Sequence, residues 1–155
     1  WMDSYSNLRA RAKCNRFAEH NGIELTLIET DHVEGEITVT EAHLNPMGMV
    51  HGGCLATLAD TVTGTAVATR GRVGVTMDCR MDYLRPAVNT KKIRCVAIPQ
   101  KIGKTITLYR AELTNDEGAL VAVGTFSFFL TDKPLPNFEE LVERAKAYGQ
   151  TQKSE

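Results

Sequence analysis

The sequence has no excess of charge of either sign. Its 18 Lys and Arg residues nearly balance 19 Asp and Glu residues, which leaves a formal net charge of −1. Proteins that bind nucleic acids usually carry a basic excess that meets the phosphates. Aromatic residues, which stack on bases, make up only 6% of the chain. We therefore expect no nucleic acid among its partners.

Long apolar runs are also missing. The longest candidate, Leu120–Leu130, contains Thr and Ser, and it is far shorter than the roughly 20 residues that a membrane helix needs. The N-terminal segment is polar and does not resemble a secretory signal. We therefore expect no membrane span and a cytoplasmic protein.

Residues typical of metal sites and of nucleophilic serine sites are few and scattered. The four Cys show no C-x-x-C spacing and the four His lie in separate segments, which predicts free thiols, mostly solvated imidazoles and no metal site. No Ser lies in a G-x-S-x-G motif. Gly103-Lys104-Thr105 lacks the earlier glycine of a phosphate-binding loop.

Strand and helix periodicities alternate along 155 residues, a length typical of one domain. The pattern predicts one amphipathic helix over residues 3–22, then a hairpin whose two strands are joined by a turn at Glu34-Gly35. Four more strands are predicted in antiparallel succession, and a short helix follows them; these five segments are residues 75–83, 93–99, 105–113, 119–130 and 137–148.

The segment from Cys54 to Thr69 is unusual because Asp60 is its only charged residue. Strong helix formers predict a helix, and Gly71 suits its C-terminal cap. A helix without a charged face must be wrapped by other structure. The sequence therefore predicts an α+β fold, with one curved antiparallel sheet of about six strands around one long central helix.

Asp60 is the first candidate for chemistry. A carboxylate on an uncharged, buried helix loses its hydration, so it must be paired, protonated or used. A purely structural Asp60, satisfied by threonine hydroxyls or by Arg80, is the alternative. Carboxylates in such surroundings gather at functional sites, which favours a functional role.

The loop from Asn45 to Gly53 ends in His51-Gly52-Gly53 at the predicted helix start. Unpaired N–H groups and the positive end of the helix dipole lie there, which suits an anion or a developing oxyanion. Gly53 and Asp60 share a helix face but are about 10 Å apart along the axis. If both serve one reaction, two antiparallel helices from a dimer must combine them.

The pattern Asn45-x-x-Gly48-x-x-His51-Gly52-Gly53, followed by Asp60, resembles the hotdog-fold acyl-CoA thioesterases of the PaaI-like type. Residues 74–78, Gly-Val-Thr-Met-Asp, and residues 83–86, Tyr-Leu-Arg-Pro, extend the resemblance over residues 20–131. It implies one hotdog domain over residues 1–155 with short terminal helices. It also implies a homodimer or homotetramer that hydrolyses acyl-CoA thioesters without a cofactor, since coenzyme A is part of the substrate.

The resemblance also assigns catalytic roles. Asp60, from the neighbouring subunit, attacks the thioester or activates water as a general base. The N–H of Gly53, or that of Gly52, polarises the thioester carbonyl. Asn45 orients the substrate or the water, with His51 beside it, and the Thr76 hydroxyl helps to place the water.

Substrate contacts are predicted at a second set of residues. Basic side chains where the sheet meets the helix start are candidates for the phosphates of coenzyme A, with ordinary solubilising charge as the alternative for each; they are Arg85, Lys101 and Lys104. Met77 is expected to shape the acyl pocket, and Gly52 to lie against the substrate.

Two other functions remain open on the same fold. One is a non-catalytic protein that binds or senses acyl-CoA, which would have no need for the Asp60 carboxylate. The other is a dehydratase or hydratase, which would need a His paired with a carboxylate as acid and base.

Overall fold

The structure is a computed structural model that describes residues 5–151. Within that range four α-helices and six strands follow one another as α1 (Ser6–Lys13), α2 (Arg16–His20), β1 (Ile23–Glu29), β2 (His32–Thr38), α3 (Gly52–Ala68), β3 (Arg72–Tyr83), β4 (Lys92–Ile102), β5 (Ile106–Thr114), β6 (Leu120–Pro134) and α4 (Phe138–Thr151). A short 3-10 turn at Glu41–His43 precedes α3.

The strands form one antiparallel sheet in the order β1-β2-β4-β5-β6-β3. The predicted α+β class, with a curved antiparallel sheet of six strands around a central helix, is confirmed. The predicted succession of the last four strands is wrong, because β3 pairs with β6 instead of β4. This crossover leaves β3 at a free edge of the sheet.

Helix α3 packs on the inner face of the sheet through one side only. That side is fully buried and consists of aliphatic residues such as Leu58, Ala59, Val62 and Ala66. The opposite side is half-buried or exposed. The expectation that other structure wraps the helix is therefore met on one side alone, because the open six-stranded sheet covers only the side of the helix that faces it.

The β1–β2 turn lies at Thr30-Asp31, where Asp31 has a positive φ of 58°. The predicted turn at Glu34-Gly35 is wrong, since both residues belong to β2. Gly35 allows α3 to pack closely on β2, because a Cβ at this position would lie only 2.7 Å from Cγ2 of Val62 on α3. The glycine thus marks where the helix meets the sheet.

The N-terminal segment forms two short helices in place of the single predicted one. The break occurs where Asn15 caps α2, its Oδ1 accepting from the N–H of Ala18 at 3.0 Å. Asparagine favours such N-caps over helix interiors. Residues 3 and 4 of the prediction lie outside the described residues.

Cysteine and histidine side chains meet the predictions only in part. Cys14, Cys54, Cys79 and Cys95 are free thiols, as predicted. His43, however, is buried rather than solvated: its Nδ1 accepts from the N–H of Thr40, and its Nε2 lies 2.8 Å from the carbonyl of Asn21. His43 thereby ties the start of β1 to the segment before α3.

Two features are absent from residues 5–151. No helix there is long and apolar enough to cross a membrane. No group of three or more His, Cys, Asp or Glu residues is arranged to hold a metal ion.

Candidate active site

The loop before α3 is shaped by Asn45. Its Oδ1 accepts hydrogen bonds from the N–H groups of Met47 and Met49, at 3.0 and 3.1 Å. Gly48 adopts a positive φ of 74°, which glycine allows without strain. The Nδ2 group of Asn45 has no acceptor within residues 5–151. The side chain therefore builds the loop with one atom and leaves its amide N–H₂ for other contacts.

Helix α3 begins at Gly52, two residues before the predicted start. The N–H of Gly53 donates to Nδ1 of His51, which caps the helix at 2.9 Å. The N–H of Gly52 has no acceptor in the described part of the chain. Of the two predicted oxyanion donors, Gly53 is thus occupied by the cap and Gly52 is available.

Tyr83 supports this helix start, a role for which its sequence position gave no signal. Its hydroxyl donates to the carbonyl of Gly52 at 3.0 Å. Partial burial, with a smaller contribution from Cys79 nearby, raises the pKa of the phenol. The neutral hydroxyl therefore remains a donor that holds the first turn of α3 against β3.

Asp60 and Thr76 are brought together, since the Thr76 hydroxyl donates to Oδ1 of Asp60 at 2.9 Å. A threonine hydroxyl is also a partner that the structural alternative predicted, whereas its other candidate, Arg80, pairs with Asp82 at 3.1 Å. Asp60 is exposed in the single chain, so the expected burial is wrong at this level. The carboxylate lies on the open side of α3, where one Oδ is fixed by a hydroxyl.

A β-bulge in β3 puts Thr76 on the helix side of the sheet. The register shifts between Thr76 and Asp78, so that Thr76 and Cys79 line the same cavity although they are an odd number of positions apart in the strand. Val75 faces the other way, opposite the exposed Phe129. The uninterrupted alternation expected for residues 75–83 is therefore wrong, and the bulge supplies the partner of Asp60.

A cavity of about 490 Å³ extends along the open side of α3. It is lined by residues of α3, the inner face of the sheet and the N-terminal helices, among them Arg11, Phe17, Thr57, Asp60, Gly64, Thr76, Cys79, Phe126 and Phe128. None of its lining residues comes from the loop of residues 45–53. Within one chain, the carboxylate and the free N–H of Gly52 therefore do not face one shared cavity.

The predicted substrate-binding residues fall at two distant places. Arg85 follows β3 at the end near the helix start. Lys104 lies at the opposite end, since its carbonyl accepts from Arg72, the first residue of β3. The two ends of β3 are about 35 Å apart at 3.3 Å per residue.

Lys101 belongs to the same β4–β5 hairpin as Lys104. The expectation that both lysines lie where the sheet meets the helix start is therefore wrong for one chain. Met77 lies at the bulge, more than half exposed on the free edge strand. The catalytic and substrate-binding roles given to all these residues remain predictions.

Comparison with known proteins agrees with this architecture. The profile of the thioesterase superfamily matches residues 47–122. Human acyl-coenzyme A thioesterase 13 is 34% identical over 122 residues, which cover 76% of this chain and 86% of that protein. The structure of the Escherichia coli PaaI protein from the phenylacetic acid degradation operon superposes with a TM-score of 0.81 at 26% identity, covering 86% of this chain and 96% of that one.

A third relative is a thioesterase protein from Streptococcus pneumoniae whose structure contains coenzyme A. It has a TM-score of 0.68 and 29% identity, and the match covers 73% of this chain and 88% of that one. Fold and site together define a hotdog-fold thioester hydrolase, which confirms the predicted enzyme class. The chain belongs to the thioesterase superfamily, as a PaaI-like member.

Proposed function

We propose that this enzyme hydrolyses acyl-CoA thioesters at a site shared by two copies of the chain. The observation that carries the proposal is the Asp60 carboxylate, held by the Thr76 hydroxyl on the open side of α3. The names of the human and E. coli relatives, both acyl-coenzyme A thioesterases, support the substrate class.

The shared site follows from what one chain leaves incomplete. Asp60 and Gly52 at the helix start are about 12 Å apart along α3, and a reacting carbonyl must lie within about 3 Å of its hydrogen-bond donor. Strand β3 is a long edge strand with exposed Val75 and Met77 among its residues, and the unpaired backbone groups of such an edge invite pairing with a second strand. Two copies related by a two-fold axis would bring each Asp60 to the other copy's Gly52.

Antiparallel pairing of two β3 strands also brings distant cations together. It lays the Arg72 end of one strand beside the Tyr83 end of the other. Lys101 and Lys104 of one copy would then lie near Arg85 of the second, where they suit the phosphates of coenzyme A. Basic residues that are far apart within one chain would thus be neighbours in the dimer.

The proposed reaction uses groups of the chain and one water molecule. The Gly52 N–H stabilises the developing oxyanion, and the free N–H₂ of Asn45 orients the water or the substrate. In the first route, Asp60 takes a proton from water as the water oxygen attacks the carbonyl carbon, and the C–S bond then breaks. In the second route, the Asp60 carboxylate attacks that carbon, the C–S bond breaks to leave a mixed anhydride, and water then hydrolyses the anhydride. In both routes the coenzyme A thiolate, a good leaving group, departs and regains a proton.

Replacement of Asp60 tests the proposal directly. We expect Asp60→Asn to lower kcat for a panel of acyl-CoA thioesters by about 100-fold or more, since the amide cannot accept the proton or attack. Thiol release, measured with a thiol-trapping reagent, gives kcat, and equilibrium binding of a non-hydrolysable acyl-CoA analogue should be largely unchanged. Near-normal turnover by this variant would refute the role of Asp60.

A matched control is Asp132→Asn, which removes a fully exposed carboxylate at the end of β6. This variant should retain wild-type turnover. Single-turnover hydrolysis in ¹⁸O-labelled water identifies direct attack when the label enters Asp60 and the first product is unlabelled, which is the result if water opens the anhydride at the Asp60 carbonyl. Binding of acyl-CoA by the wild type without thiol release would instead favour the non-catalytic alternative.

A further inference from the structure

Arg11 introduces a positive charge into the cavity that Asp60 lines. The segment of residues 5–21 runs opposite to α3. At one end, Tyr5 bonds Thr30 in the β1–β2 turn, beside the C-terminal end of α3. At the other end, Asn21 meets His43 beside the helix start. Arg11 lies midway along this segment, so its side chain enters the cavity beside the central turns of α3.

The guanidinium of Arg11 has no counter-ion among the described residues. Within residues 5–151, it forms no ion pair or hydrogen bond, and its Nη1 atom is buried without an acceptor. Desolvation lowers the pKa of the guanidinium, but an arginine remains charged at neutral pH. Among the described residues that line the cavity, the only carboxylate is that of Asp60, which bonds Thr76 instead.

Resting on the proposed function, we propose that Arg11 binds a carboxylate at the far end of the acyl group. The preferred substrates are then CoA monothioesters of short dicarboxylic acids. The thioester lies at Asp60 and the free carboxylate lies at the Arg11 guanidinium, since both residues line the same cavity. Phe126 and Phe128 cover the methylene groups between these two ends.

The charge balance of the cavity favours this substrate class. A plain hydrocarbon tail against Arg11 would displace water from the cation and leave its N–H groups without acceptors, which is costly in a partly buried site. A carboxylate satisfies the planar guanidinium with two parallel charge-assisted hydrogen bonds. The same residue therefore selects for the carboxylate and against the uncharged tail.

Matched pairs of substrates test this proposal in the full chain. Each pair combines a fatty acyl-CoA with the carboxyacyl-CoA of the same chain length, and kcat/KM is measured by thiol trapping. We expect the wild type to prefer the carboxyacyl member by about tenfold or more. Arg11→Met, which keeps a stem of similar size, should lower kcat/KM for carboxyacyl substrates by about 10- to 100-fold and leave fatty acyl substrates unchanged or improved.

Two further variants separate local recognition from general charge. Lys13→Met removes an exposed cation from the same helix and should keep the wild-type ratio within each pair. Arg11→Lys keeps the charge without the planar fork and should give an intermediate ratio. Circular dichroism and thermal unfolding establish that each variant is folded. The preference of the wild type for the carboxyacyl-CoA in each pair is measured without any variant.

The possible outcomes distinguish a failure of the Arg11 proposal from a failure of the proposed function. An equal ratio in the wild type and Arg11→Met, or the same loss in Lys13→Met, overturns the role of Arg11. Hydrolysis of fatty acyl-CoA alone by the wild type overturns this proposal while the proposed function stands. If the wild type hydrolyses neither series, the proposed function fails and this inference fails with it.

Discussion

Two adjacent backbone N–H groups at the start of α3 differ in their availability. The imidazole of His51 accepts from Gly53, whereas Gly52 has no acceptor in the described residues. Because an oxyanion needs a free donor aimed at it, the proposal rests on Gly52 rather than on Gly53. The assignment follows from one side-chain rotamer, that of His51.

We expect Gly52→Pro to lower kcat by about 100-fold or more, since proline removes the N–H. Proline is favoured at the first position of a helix, and His51 already has the extended backbone that a following proline requires (φ −60°, ψ 135°). The variant should therefore fold. Thiol release from acyl-CoA measures the loss.

Gly52→Ala is the matched control for this change. It adds the same Cβ, 3.2 Å from the Tyr83 ring, but retains the N–H. It should lose much less activity than the proline variant. Similar losses in the two would attribute the effect to crowding against Tyr83 and not to the missing donor.

A second residue-scale prediction concerns Asp31, whose carboxylate joins Arg70 and Tyr109. The hydrogen bond from Arg70 is the main reason that the pKa of Asp31 is lowered. A lowered pKa means that the carboxylate stabilises the fold above its unfolded pKa of about 4, and that this contribution is lost as the pH falls below that value.

We therefore expect Asp31→Asn to lower the free energy of unfolding by about 1–3 kcal/mol at pH 7. The difference from the wild type should shrink as the pH falls below about 4. Denaturant unfolding at a series of pH values measures both quantities. A difference that stays constant across this range would show that the ion pair is not responsible.

At the scale of elements, the contact between α3 and the sheet depends on small residues. Gly35 of β2 and Gly74 of β3 each lie where an added Cβ would overlap a valine of α3, at 2.7 Å from Val62 and 2.4 Å from Val67. These contacts hold α3 close to the sheet along both β2 and β3. The position of Asp60 relative to Thr76 depends on this spacing.

We expect Gly35→Ala to destabilise the protein by about 1–3 kcal/mol, because the methyl group overpacks a filled interface. Gly149→Ala is the control: it lies in α4 with no atom of the described residues within 4 Å of its added Cβ, and it should stabilise slightly, by up to about 1 kcal/mol. Chemical denaturation compares the two. A neutral Gly35→Ala would show that α3 can move away from the sheet.

At the scale of the whole molecule, the shared site predicts complementation between two inactive variants. In an equal mixture of Asp60→Asn and Gly52→Pro subunits that exchange freely, about a quarter of the sites combine an intact Asp60 with an intact Gly52. We expect the mixture to recover about a quarter of wild-type activity. If one chain supplies the whole site, every site carries a lesion and no activity returns.

Several residues show which features of the fold and the site the sequence alone predicts. The small, uncharged run around Asp60 predicts a central helix, and alternating residues predict six strands, because both are local patterns of polarity. The Glu34-Gly35 turn is mispredicted because glycine is read as a turn residue, whereas tertiary packing against Val62 requires it. The bulge at Thr76 is missed because it arises from pairing with β6, which is distant in the chain.

The sequence by itself determined the fold class, the helix that carries Asp60 and the family resemblance, since each depends on residue types at fixed spacings. Only the tertiary structure decided that Thr76 is the partner of Asp60, that Gly52 keeps the free N–H, and that Arg11 enters the cavity. These relationships join segments far apart in the chain. They depend on strand register, on side-chain rotamers and on the path of the N-terminal helices, which no local pattern encodes.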